Sequence, residues 1–164
     1  DFNNDGKDDV ATLYGYTNNT MQIHVFQSAG SSFNKWKPWL SYSSPGDFNT
    51  DRVYGRTVAG DFNKDGKDDI AVMYDFDNDR MQTLVFKSSG SSFLHHEYWG
   101  DYMTNGDYRC ASVTGRVVAG DFNGDGYADL CAKYDYLNGS MTNQVFKSSG
   151  NLFAHYQNWR TSYY

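Results

Sequence analysis

Proline and cysteine are scarce in this chain, with two of each among 164 residues. Two cysteines are too few for a disulfide scaffold. So little proline, beside 16 glycines, excludes a collagen-like or linker-type chain. No apolar run approaches the roughly 20 residues of a membrane span, so no membrane insertion is expected. No basic start followed by an apolar run is present either, so the sequence shows no signal peptide, although a mature chain could have lost one. Basic residues are in deficit: 14 Lys and Arg face 20 Asp and Glu, for a formal net charge of −6. A nucleic-acid binder needs a basic face against phosphate, so nucleic acid is not an expected partner. Hydrophobic residues make up only 39%, yet 18% of the chain is aromatic. Disordered chains are poor in aromatics, which argues for a folded protein.

What the chain has in abundance is repetition. The segment from Asp1 to Asp9 returns at Asp61–Asp69 and again at Asp121–Asp129, each time after 60 residues and without a gap. Other positions keep this register: Tyr14, Tyr74 and Tyr134; Met21, Met81 and Met141; Phe33, Phe93 and Phe153; Trp39, Trp99 and Trp159. Within one unit the pattern is that of strands. Arg56 to Gly60 runs into the acidic loop, and Ile70 to Tyr74 leaves it as a short apolar run. The turn Asp77-Asn78-Asp79, the run Met81 to Phe86, the Ser88–Ser92 turn and a strand from His95 to Tyr102 follow. β-Branched and aromatic runs bounded by Gly, Ser, Asn and Asp clusters are the strand-and-turn signature, and no window shows helical periodicity.

The expected fold is therefore all-β: three tandem four-stranded antiparallel propeller-type blades of 60 residues. The units are residues 1–60, which lack a leading strand, 61–120, and 121–164, which are truncated; together they form one repeat domain. A ring needs at least about four blades, so three are not expected to close on their own. Both ends cut through the repeating pattern, which leaves self-association or flanking blades of a longer chain as ways to cover them.

The acidic loops carry the chemistry. In Asp61 to Asp69, oxygen side chains stand at positions one, three, five and nine, with glycine at six. Calcium takes about six to eight oxygen ligands, and a tight loop with alternate oxygen donors can wrap it. Val72 stands where an EF-hand has its glutamate, and a β-run follows, so the expected site is strand–loop–strand. Three Ca²⁺ sites are predicted, one per repeat: Asp1, Asn3, Asp5 and Asp9; Asp61, Asn63, Asp65 and Asp69; Asp121, Asn123, Asp125 and Asp129. Main-chain carbonyls of Lys7, Lys67 and Tyr127 would add one ligand each. Magnesium, which demands a small octahedral shell, suits such loops less well. The alternative is a solvated Asn/Asp turn, against which the threefold recurrence weighs. Three bound Ca²⁺ would balance the charge of −6.

The run Tyr54-Gly55-Arg56-Thr57-Val58-Ala59-Gly60-Asp61-Phe62-Asn63-Lys64-Asp65-Gly66-Lys67-Asp68-Asp69-Ile70-Ala71 resembles an FG-GAP/VCBS-type repeat. The likeness extends over all three units. Repeats of this type form the calcium-bearing propeller of integrin α chains and resemble the blades of a seven-bladed mushroom lectin. The resemblance implies a propeller-type fold and calcium in the loops, and it leaves function open.

Other side chains are candidates for binding. The recurring Trp reads as packing between blades, whereas its variable neighbours Trp36, His96 and Tyr156 are candidate ligand contacts. An aromatic face among amides, hydroxyls and carboxylates suits a sugar. Arg56 and Arg116 would reach a ligand or a neighbouring carboxylate, with a structural role placed first. His95 and His96 are adjacent and would point to opposite faces of a strand, which argues against a shared zinc. Cys110 and Cys131 either pair or remain separate thiols. No acid/base pair, nucleophile elbow or phosphate loop is present, so the chain is not expected to be an enzyme. Asn18-Asn19-Thr20 and Asn138-Gly139-Ser140 are glycosylation sequons in equivalent turns.

Two functions follow as expectations. The first is a secreted or cell-surface, calcium-stabilised module that recognises a glycan or a cell-surface ligand, lectin- or adhesion-like. The second is a structural subunit that self-assembles through its open ends into a ring or extracellular filament.

Overall fold

The apolar runs between Asn, Asp, Gly and Ser clusters fold as strands throughout the computed structural model, which describes residues 1–163. Tyr164, the last residue of the third unit, lies outside the described residues. The first sheet contains β1 (Val10–Gly15), β2 (Met21–Phe26) and β3 (Lys37–Tyr42). The second contains β4 (Thr57–Gly60), β5 (Asp69–Asp75), β6 (Met81–Phe86) and β7 (Glu97–Tyr102). The third contains β8 (Val117–Gly120), β9 (Asp129–Asp135), β10 (Ser140–Phe146) and β11 (Gln157–Tyr163). All pairings are antiparallel between sequence neighbours. Among the described residues, helical structure is limited to the 3₁₀ turns Thr50–Val53 and Cys110–Ser112. None of these is long or apolar enough to cross a membrane.

The first sheet has three strands, one fewer than the four of a full blade, in keeping with a first unit that lacks its leading strand. The inner strands β4 and β8 lie just ahead of their acidic loops and pair with β5 and β9. Among the described residues, no strand pairs with the other edge of β1. The sheets do not close into a ring. The strand expected from His95 begins at Glu97, because the His96 main-chain N–H donates to the Tyr42 hydroxyl of the preceding sheet at 3.2 Å. Periodicity persists in the irregularities. The β2–β3, β6–β7 and β10–β11 pairs each shift register at one equivalent step, Ile23/His24, Thr83/Leu84 and Asn143/Gln144.

Strand geometry sends successive side chains to opposite faces, and β5 uses both. Ile70 and Val72 join the core shared with the first sheet, beside Met21, Ile23, Val25 and Phe48. Ala71 and Met73 join the core shared with the third, beside Leu130, Ala132 and Phe146. A middle sheet buried on both faces therefore reads as a continuous apolar run rather than an alternating one. Gly60 lets the second and third sheets approach, because a Cβ there would stand 2.9 Å from the Ala128 Cβ. Trp39 and Trp99 are buried between sheets, whereas Trp159 is exposed on the outer face of the third. Cys110 and Cys131 are both free thiols. Burial pushes the Cys110 thiol up to about 12, so it remains protonated and acts as a small core group.

Candidate functional site

Each acidic loop joins an inner position to the strand that follows it, and its conformation is set locally. Positions four and six are left-handed: Lys64 has φ 62° and Gly66 φ 85° in the second loop, and Gly124 and Gly126 take both places in the third. Those two kinks curl the backbone so that its N–H groups face the loop's own side chains. In the second loop Asp61 accepts from Asp65 N–H at 3.0 Å and from Gly66 N–H at 2.8 Å. Asn63 accepts from Asp65 N–H at 2.9 Å, and Asp65 accepts from Lys67 N–H at 3.0 Å. The first and third loops repeat these bonds at Asp1, Asn3 and Asp5 and at Asp121, Asn123 and Asp125. At Asp121 these N–H groups, Gly126 first, hold the carboxyl below the usual carboxylate range.

The ninth residue anchors the loop to the sheet. Asp9, Asp69 and Asp129 each accept from the main chain of a serine beyond the second strand of the unit, Ser28, Ser88 and Ser148, at 2.8, 2.8 and 2.9 Å. The second carboxylate oxygen then separates the three loops. That of Asp9 accepts from Phe2 N–H at 3.3 Å, and that of Asp129 from Phe122 N–H at 3.2 Å. In the second loop Phe62 N–H turns instead to the Gly60 carbonyl, at 2.9 Å. Asp69 is fully buried, and its Oδ2 has no hydrogen-bond partner. A buried carboxylate oxygen without a donor is costly, so this oxygen fits a cation better than it fits an empty space.

Burial raises the Asp69 carboxyl from 3.8 to about 7, offset in part by Ser88 N–H and reinforced by the charges of Asp65 and Asp61. The sign is the reverse of a salt-bridged aspartate. Between about pH 4 and 7 the metal-free fold keeps a proton that the unfolded chain has lost, so stability falls as pH rises through that window. Denaturant midpoints in chelator at pH 5 and pH 8 check this. The wild type should lose more than Asp69→Asn over that interval, and equal losses would count against a strained Asp69.

Three carboxylates, one amide and one main-chain carbonyl per loop are the oxygen donors available. That set matches hard-cation chemistry, and the orphaned Asp69 Oδ2 is where the fit is clearest. Among the described residues no group of three or more His, Cys, Asp or Glu side chains stands gathered for a metal. In the second loop the first and fifth carboxylates accept from backbone N–H groups, and so does one oxygen of the ninth. Lys7, Lys67 and Tyr127 occupy the seventh position, and their N–H groups hold the fifth carboxylate.

The five candidate ligand contacts are not gathered in one place. Trp36, His96 and Tyr156 hold one position on successive sheets. Trp36 stacks on His24 with ring centroids 3.9 Å apart. His96 is packed between the first two sheets, its Nδ1 2.6 Å from the Tyr42 hydroxyl, and burial lowers its pKa. Tyr156 repeats that arrangement with Tyr102, whose hydroxyl accepts from its N–H at 3.2 Å. Arg56 is buried and donates to the carbonyls of Met73 and Arg52 and to the Thr114 hydroxyl. Arg116 donates to the Ser112 carbonyl and to Asp135 at 3.3 Å. Both arginines therefore tie their 3₁₀ turn to the sheet.

Sequence reasoning missed a cleft of about 540 Å³ between the first two sheets, lined by Tyr16, Asn19, Asn49, Asp51, Arg52 and Tyr74 among others. Asn49 caps the 3₁₀ turn by accepting from Asp51 N–H, and its own N–H donates to the Tyr74 hydroxyl at 3.3 Å. Arg52 is held by Asp77 across the cleft's rim. Only the capping Asn49 ahead of Asp51 hinted at this place, because the cleft exists only where two sheets meet.

Three sheets in a row, each built on the same 60-residue unit, define a β-propeller-type repeat module. Residues 1–72, from the first loop into β5, match the family model of the FG-GAP-like repeat, consistent with an FG-GAP-type repeat. No curated protein and no solved structure matches the chain.

Proposed function

We propose that this chain is an extracellular, calcium-stabilised propeller-type module that recognises a glycan on a cell surface and carries out no catalysis. The observation behind the calcium assignment is the buried Asp69 Oδ2, left without a donor beside Asp61 and Asp65. A divalent cation there would offset a buried charge and tie the loop to β5, much as Ser88 ties it to the turn beyond β6. Asp61, Asn63, Asp65 and Asp69 would hold it, with the Lys67 carbonyl; the first and third loops offer the equivalent sets.

The glycan reading rests on the cleft between the first two sheets. Amides, a carboxylate, a guanidinium and two tyrosine rings converge on one opening, and a sugar presents hydroxyl edges and apolar C–H faces to such a mixture. Asp51 lies in the 3₁₀ turn and Tyr16 just beyond β1, so both are placed by ordered backbone. A glycan array in calcium identifies the sugar. Titration calorimetry on Asp51→Ala and Tyr16→Phe then checks the cleft. Asp51→Ala should weaken binding at least about tenfold, corresponding to about 1.4 kcal/mol, with Tyr16→Phe weaker in effect. Retained affinity in Asp51→Ala would move the site elsewhere, and an array without hits would remove the glycan reading.

A further inference from the structure

We propose that Asn138 is a self-modification site. The main-chain nitrogen of Gly139 closes on its side-chain amide, ammonia leaves, and the turn that opens β10 becomes aspartyl or isoaspartyl. Ser140 supplies the hydrogen bonds that favour the attack. The inference rests on neither the calcium nor the glycan reading.

Asparagine is a labile residue, most of all before glycine, which has no side chain to shield its nitrogen. Three such steps are present: Asn105-Gly106, Asn123-Gly124 and Asn138-Gly139. All three glycines are left-handed, with φ of 86°, 80° and 85°. Sequence and backbone therefore do not rank them, whereas hydrogen bonding does. Gly106 N–H donates to the Asn78 carbonyl at 2.9 Å. Gly124 N–H donates to Asp121 at 2.7 Å. The Asn123 amide is also held at both ends, accepting from Asp125 N–H at 2.8 Å and donating to the Asp125 carboxylate at 2.9 Å. Each of these nitrogens gives up a hydrogen bond in order to react. Gly139 N–H has no partner among the described residues.

The Asn138 side chain is set for the reaction. Its Oδ1 accepts from Ser140 N–H at 3.0 Å and from the Ser140 hydroxyl at 2.6 Å. Negative charge gathers on that oxygen as a nucleophile adds to Cγ, and paired donors stabilise oxyanions of this kind in acyl transfer. The first unit offers a comparison. Asn18 Oδ1 accepts the same two bonds from Thr20, at 3.3 and 2.7 Å. The next residue there is Asn19, and its N–H is committed to the Tyr16 carbonyl at 2.9 Å. Among the described residues, Asn138 alone joins the two donors to an unengaged glycine nitrogen. It is exposed, and so are Asp77, Asn78 and Asp79 in the same turn of the second unit, which has a sheet on either side. Exposure thus belongs to the turn and not to the outer position of the third sheet.

The step needs water and no other reactant. Solvent takes the Gly139 amide proton, the nitrogen bonds to Asn138 Cγ, and the Cγ–Nδ2 bond breaks as Nδ2 takes a proton and departs as ammonia. Water then opens the cyclic imide. Attack at Cγ leaves the main chain intact and yields aspartate. Attack at the main-chain carbonyl routes the chain through Cγ and yields isoaspartate, immediately ahead of the strand β10. The product carries one more negative charge. It also no longer heads the Asn138-Gly139-Ser140 sequon, so carbohydrate is attached before the change or not at all.

Peptide mapping by mass spectrometry tests this on the folded full chain, made without glycosylation and held in mildly alkaline buffer. Asn138 should convert first and release ammonia, while Asn18, Asn105 and Asn123 stay intact over the same interval. In urea the three Asn-Gly steps should convert at similar rates, because only the fold ranks them. Ser140→Ala keeps the N–H and removes the hydroxyl. Loss of that one hydrogen bond should slow Asn138 about tenfold in the folded chain and leave its rate in urea unchanged. Ser140→Thr, which keeps the hydroxyl, should convert at the wild-type rate. An Asn138 that outlasts Asn105 or Asn123 in the folded chain overturns the proposal, and so do three rates as alike when folded as in urea. A folded Ser140→Ala chain that converts as fast as the wild type overturns the role of Ser140.

Discussion

Removing calcium should lower the unfolding temperature of the wild-type chain, and Asp69→Asn should invert the comparison between the two proteins. A ligand that binds only the folded state stabilises it by about 4 kcal/mol at about 1,000 times its dissociation constant. In a domain of this size that corresponds to about 10 °C for one site. In calcium, Asp69→Asn removes a charged ligand, so affinity at the second loop should fall on the order of 100-fold and most of that site's stabilisation should vanish. In chelator the order reverses. Wild-type Asp69 then buries a carboxylate whose Oδ2 has no donor, close enough to feel the charges of Asp61 and Asp65. An amide there keeps the oxygen that accepts from Ser88 N–H and offers an N–H₂ donor where the orphaned oxygen stood. The variant should therefore melt at or above the wild type without calcium and below it with calcium. Scanning calorimetry of both proteins in both conditions reads the crossing. Parallel curves, with the variant lower by the same amount throughout, would mean that Asp69 serves only as a structural brace.

The second large effect separates two identical residues. Phe62 and Phe122 hold the same place in their repeats, one residue into the acidic loop. Phe62 is wholly buried against Phe153, inside the core shared by the second and third sheets. Phe62→Ala leaves a cavity there and should cost about 3–5 kcal/mol, enough to lower the melting temperature by about 10 °C. Phe122 is 38% exposed, because among the described residues no further sheet packs against it. Phe122→Ala should cost under about 1 kcal/mol in dilute solution. Denaturant titration of the two variants gives the comparison at one slope. Equal losses would show that the outer face of the third sheet is already covered.

Much of the architecture was legible because period and turn chemistry are local. The repeat at 60 residues, the strand runs and the acidic loops could be read directly, since each needs only residues close in sequence. The left-handed backbone at Lys64 and Gly66 follows from the loop's own composition. The first sheet was less legible, because its strand count depends on which side of the loop the inner strand belongs to. The sequence shows Thr57–Gly60 ahead of the second loop, and only the pairing with β5 assigns it to the second sheet. His96 reads as a surface residue of a strand, and a tyrosine of the preceding sheet drew it into the interface.

The candidate site divides in the same way. Asp9, Asp69 and Asp129 are one residue type at one repeat position, with nothing in the sequence to rank them. Their difference lies in a single N–H: Phe2 and Phe122 donate to their aspartate, and Phe62 donates to Gly60 instead. The cleft at Asp51 and the arginine braces were invisible for a related reason, since each needs two sheets or a distant carbonyl to have meaning.

By itself, then, the sequence determined the unit: its period, its turns, its strand pattern and the oxygen-rich loop, all encoded within short stretches of chain. Tertiary structure decided what identical units become. A middle sheet is buried on both faces, so β5 is apolar throughout and Phe62 and Phe93 are core residues. Among the described residues the first and third sheets have one neighbour each, so Phe33, Phe122 and Trp159 are exposed although their counterparts in the second unit are buried. Burial is a property of the stack and not of the residue, because apolar surface is removed from water only where a second surface arrives to cover it.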